Sequence, residues 1–150
     1  MSTLHLANVL LIDDDDDDIH LFSEALRAVS PESELHFFNN CYEALRQVEN
    51  QSIPIPDVIF VDLVMPALNG FDCINLLKMN PMLMEVPIMV LSSSITTLNL
   101  DKLYKMGVAF FITKPPSFDQ LKAAINNMVN LPTRNDVQTK ENFHFRNYTA

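Results

Sequence analysis

Glycine is almost absent from this chain, with only Gly70 and Gly107 among 150 residues. A phosphate-cradling Walker loop or a dinucleotide-binding fingerprint needs several glycines so that backbone can approach phosphate oxygens, so both are excluded. Long apolar runs are lacking too. None nears the roughly 20 residues that span a bilayer, and no basic segment followed by a long apolar stretch opens the chain, so a cytoplasmic protein with no membrane contact is expected. Basic residues are few, 10 against 19 acidic ones, which argues against direct nucleic-acid binding because that needs a basic stripe to neutralise phosphates. Cysteine occurs twice, at Cys41 and Cys73, without metal-type spacing and inside predicted helices, so both are expected as buried, reduced thiols. The four histidines, His5, His20, His36 and His144, lack the i, i+4 spacing of a helical zinc site.

What the chain does have is apolar strands that end in acid. Val9-Leu10-Leu11-Ile12 runs into Asp13 to Asp18, and Val58-Ile59-Phe60-Val61 runs into Asp62. The net charge of −9 owes much to that single aspartate run, so the acidity is local. The length and a hydrophobic content of 48% suit one domain with one core.

Apolar runs alternate with helical patterns along the chain. Val9 to Asp13 reads as a strand, followed by a helix with Ile19, Phe22, Leu26 and Val29 on one face; its aspartate-rich first turn suits the positive end of the helix dipole. Leu35 and Phe37 alternate in a short strand, and Cys41 to Glu49 reads as a helix. The prolines of 52–56 break the chain before a strand over Asp57 to Asp62. Gly70 to Lys78 is helical, Val86 to Ser92 a fourth strand, Leu98 to Met106 a helix, Val108 to Thr113 a fifth strand and Phe118 to Val129 a last helix. Residues 131–150 are polar and without sustained period, and are expected to form a tail with no output domain. Five strands alternating with five helices predict an α/β, doubly wound parallel sheet covered on both faces. In such a sheet ligands bind outside the carboxyl ends of the strands, so the two acidic exits aim at one crevice suited to a hard cation.

Asp13-Asp14 after the first strand, Asp62 followed by Met65-Pro66 and Gly70, Ser92 ending the fourth strand, and Lys114-Pro115 after the fifth together resemble the receiver domain of two-component response regulators, in its stand-alone, chemotaxis-regulator-like form. The resemblance covers about residues 8 to 130 and assigns 1–130 to the receiver. It implies a flavodoxin-like (βα)5 fold with strand order 2-1-3-4-5, and a role in a phosphorelay rather than as an enzyme with an external substrate. Asp62 would accept a phosphoryl group from the phosphohistidine of a sensor histidine kinase or phosphotransfer protein. Mg2+ would be held by Asp13, Asp14, Asp62 and the backbone carbonyl of Val64. Lys114 would supply a cation and Ser92 a hydroxyl to the phosphoryl oxygens. Ser92 and Phe111 would form the switch that remodels a surface for a downstream protein or a homodimer. A cis bond is expected at Lys114-Pro115.

The chemistry agrees with these assignments. A carboxylate is a weak nucleophile that needs neighbouring charge managed, and Mg2+ takes oxygen ligands. A phosphoryl group in transfer spreads its charge over three equatorial oxygens, which calls for cations and donors around it. Consecutive strand-end residues face different ways, so Asp13 and Asp14 need not be equivalent. The aspartates at 15–18 are expected mainly as a solvated helix start, with Asp15 the borderline case. Two other classes compete: a degenerate receiver used as a docking module without phosphotransfer, and an aspartate-nucleophile phosphatase using Asp13 and Asp15. The phosphatase would need a small or branched residue at position 17, where this chain has Asp17.

Overall fold

The computed structural model describes residues 6–63, 65, 69–92, 97–113, 117–129 and 144–145. Strands β1 (Asn8–Ile12), β2 (Glu34–Phe38), β3 (Val58–Asp62), β4 (Ile88–Ser92) and β5 (Phe110–Thr113) alternate with helices α1 (Asp16–Val29), α2 (Cys41–Glu49), α3 (Gly70–Met79), α4 (Thr97–Lys105) and α5 (Phe118–Val129). The strands pair in parallel in the order β2-β1-β3-β4-β5, the expected doubly wound topology. A short sixth strand, β6 (His144–Phe145), pairs in parallel with Phe111 and Ile112 of β5. It comes from the segment expected to be tail, and its two residues carry no pattern long enough to reveal a strand.

The inner strands β1, β3 and β4 are buried along nearly their whole length because both faces are covered, whereas the edge strand β2 leaves Glu34 and Phe37 exposed. Leu10, Ile12, Ile59, Val61, Ile88 and Val90 join Cys41, Ala44, Val48, Cys73, Ile74, Leu77 and Leu103 in one buried layer. The alternate residues Val9, Leu11, Val58, Phe60, Met89 and Leu91 join Phe22, Leu26, Leu121 and Ile125 in the other. Side chains alternate across a strand, so one apolar run feeds both layers. Helices α2, α3 and α4 therefore cover one face, while α1 lies against α5 on the other. Phe22 of α1 meets Phe60 of β3 edge-on, with ring centroids 4.9 Å apart.

Two strand starts lie later than their hydrophobicity suggests. Val86 is buried, but its N–H donates to the Leu83 carbonyl in a turn, and Pro87 has no N–H to give a ladder. Val108 is likewise buried, yet its N–H returns to the Leu103 carbonyl at the end of α4, where Gly107 takes the left-handed conformation with φ +85°.

The cysteines differ from expectation. Cys41 and Cys73 form a disulfide, with Cα atoms 5.8 Å apart, and neither is a free thiol. Cys41 opens α2 and Cys73 lies in the first turn of α3; both helices start at the same end of the sheet on the same face, which brings the two side chains together.

Candidate functional site

The acidic crevice follows from strand register. Ile12 stands opposite Val61, so the next residues of the two chains, Asp13 and Asp62, leave the sheet side by side. Carboxylate oxygens of Asp13, Asp14 and Asp62 lie within 4.8 Å of one another. Asp13 is 2% and Asp62 6% exposed, whereas Asp14 faces solvent, so the adjacent pair is inequivalent as alternation at a strand end requires. The Asp13 backbone is pinned to β2 by its N–H on the Phe38 carbonyl, 3.1 Å, and its carboxylate accepts the Asp15 N–H at 3.0 Å.

Asp15 is the N-cap of α1. Its carboxylate accepts from the N–H groups of Asp17 and Asp18 at 2.9 and 3.1 Å, which satisfies donors that the first helical turn leaves open. The acidic run thus divides: Asp13 and Asp14 belong to the crevice, Asp15 to the helix, and Asp16 and Asp17 are exposed in the first turn.

On the other flank, α3 starts hard against the exit of β3. The Gly70 N–H donates to the Leu63 carbonyl at 2.9 Å. A Cβ on Gly70 would stand 2.6 Å from the Leu63 Cα and 2.9 Å from the Asp62 carbonyl oxygen. Only glycine permits this approach, because the obstacle is backbone. The spacing of Gly70 after Asp62 fits the motif but carries no information on this helix-to-strand clearance.

Ser92 ends β4, fully buried, one residue past Leu91, which pairs with Asp62. Thr113 of β5 stands opposite Ser92, and Phe111 opposite Val90. The Phe111 ring is buried in the layer under α2, α3 and α4. The assignments to Val64, Lys114 and the Lys114-Pro115 bond fall outside the described residues.

Three carboxylates held this close, two of them buried, repel one another and suit a compensating divalent cation with oxygen ligands. The arrangement can hold a hard cation and offer Asp62 as a nucleophile beside it.

The response regulator receiver domain family matches residues 9–126. The chain belongs to that family. The hybrid signal transduction histidine kinase D of Dictyostelium discoideum is 28% identical over 125 residues, which are 81% of this chain and 8% of that protein. The phosphorylated cyanobacterial phytochrome response regulator RcpA, a solved structure, superposes with a TM-score of 0.73 at 29% identity, covering 83% of this chain and 91% of RcpA. The Mn2+-bound form of response regulator Rcp1 gives 0.72 at 24% identity, covering 81% and 91%, a likeness of fold. The chain spans less than half the length of several relatives that it matches, including the hybrid kinase. It is therefore a receiver of the two-component class; receiver domains bind a divalent metal at an acidic pocket and are regulated by histidine kinases or phosphotransfer proteins. Among the described residues, no helix is long and apolar enough to cross a membrane.

Proposed function

We propose that Asp62 accepts a phosphoryl group from the phosphohistidine of a sensor histidine kinase or phosphotransfer protein, in a cytoplasmic phosphorelay. The P–N bond of the donor breaks, a P–O bond to the Asp62 carboxylate forms, and the histidine leaves. The observation that carries this reading is the convergence of Asp13, Asp14 and Asp62 on one crevice, with two of them buried. Asp13, Asp14, Asp62 and the Val64 carbonyl would hold Mg2+, which when bound supplies positive charge to the carboxylates and phosphoryl oxygens. Ser92 gives a hydroxyl and Lys114 a cation to the same oxygens. The RcpA relative was solved phosphorylated and the Rcp1 relative with Mn2+, which supports this chemistry here.

The chain runs the transfer on itself and turns over no separate substrate. Its output is a population shift in which Ser92 moves toward the phosphoryl group and Phe111 repacks beside it, altering the surface offered to a downstream protein or a second copy. The phosphatase reading is disfavoured because Asp15, the second acid it needs, is committed to capping α1.

Incubation with Mg2+ and acetyl phosphate, followed by intact mass, tests the proposal. One phosphoryl group should be gained, with no gain in Asp62→Asn or in the presence of EDTA. A full gain in Asp62→Asn contradicts it. Metal binding without any gain from small donors or a histidine kinase supports the docking-module reading instead.

A further inference from the structure

The Cys41–Cys73 disulfide ties together the two flanks of the acidic crevice. On one flank the Asp13 N–H is held by Phe38, three residues before Cys41. On the other, Cys73 is three residues beyond Gly70, whose backbone is clamped on Leu63 and Asp62. The bridge therefore runs from the exit of β2 to the exit of β3, across the strand β1 that carries Asp13. Both sulfur-bearing residues are buried, at 1% and 0% exposure, in the apolar layer. Two thiols in that layer keep the same apolar surroundings, so the core stays packed when the bond opens, while the covalent link between the flanks is lost.

We infer that Cys41–Cys73 is a reversible redox site that sets the divalent-metal affinity of the crevice, resting on the reading of Asp13, Asp14 and Asp62 as a metal site. Reduction is a thiol–disulfide exchange with a dithiol, dithiothreitol in the tube or a dithiol reductant protein. One thiolate of the reductant attacks a bridge sulfur, its second thiolate resolves the mixed disulfide, and two protons end on Cys41 and Cys73 while the reductant becomes the disulfide. Cys41 is the first residue of α2 beside the exposed Tyr42, so local opening of that helix start, which breaks the Asn40 cap, gives the path for attack. The bridged form holds the carboxylates in place and pays less ordering entropy on binding, so it binds metal more tightly. Coupling is reciprocal: metal must protect the bond from reduction by the same factor by which the bond raises metal affinity.

The test uses the full chain and Mn2+. Calorimetry of the oxidised and dithiothreitol-reduced protein should show affinity lower by about fivefold or more after reduction. A redox titration scored by thiol alkylation and mass should shift by the same factor when Mn2+ is present. The double variant Cys41→Ser, Cys73→Ser should bind metal as the reduced form does and ignore dithiothreitol. Equal Mn2+ affinity in both redox forms overturns the inference and leaves the metal site standing. Two free thiols in protein purified without reductant, not convertible to the bridge by oxidised glutathione, also overturn it. So does loss of folded circular dichroism on reduction, which makes the bond structural only. Absence of Mn2+ binding in either form removes the metal-site reading and this inference with it.

Discussion

At the scale of single residues, the aspartates that look alike in sequence have separate jobs. Asp15→Ala removes the cap of α1 and should cost about 1 kcal/mol of stability while leaving metal binding in place. Asp13→Asn should do the reverse, weakening metal binding far more than folding; chemical denaturation and Mn2+ calorimetry on both variants check the separation. Gly70→Ala drives a methyl into the backbone of Leu63 and Asp62, where nothing flexible can yield. It should cost about 1–3 kcal/mol by overpacking and weaken metal binding by displacing Asp62, read from the urea midpoint and the same calorimetry. That Asp13, Asp14 and Asp62 come together was legible because apolar strands run into them. The capping by Asp15 and the clearance at Gly70 were not, because both depend on the angle at which a helix meets a strand end.

At the scale of elements, the bridge between α2 and α3 closes a loop with a sequence separation of 32. Reduction should lower stability by about 3–4 kcal/mol through loop entropy, measured as a fall in the denaturation midpoint with dithiothreitol present. On α2 itself, the Arg46 guanidinium holds the Glu43 carboxyl below its ordinary range, with Gln47 adding a hydrogen bond. Its contribution is therefore complete above the unfolded carboxylate range and lost as pH falls through the lowered folded value. An NMR pH titration of Glu43 should show the lowered midpoint, and the shift should vanish in Arg46→Ala. The helices and strands themselves were readable from period: each strand supplies alternate residues to two layers, and each helix has one apolar face. The disulfide was hidden because the meeting of Cys41 and Cys73 depends on how α2 and α3 are rotated about their own axes, which neither spacing nor strand order gives. Strand starts at Val86 and Val108 were misplaced because burial, not ladder pairing, is what hydrophobicity reports.

At the scale of the whole molecule, the parallel order β2-β1-β3-β4-β5 brings three strand exits to one end of the sheet, and with them Asp13, Asp62 and Ser92. Asp13-Asp14 and Asp62 come from different strands more than 40 residues apart in sequence, so only the assembled sheet brings their carboxylates together. If Asp62 is the acceptor, its acyl phosphate can be trapped chemically. Borohydride treatment of protein phosphorylated with acetyl phosphate and Mg2+, followed by peptide mass mapping, converts the modified aspartate to homoserine. Homoserine at position 62 alone is the predicted result. Homoserine at Asp13, Asp14 or Asp15, with position 62 unchanged, would overturn the assignment of Asp62 as acceptor.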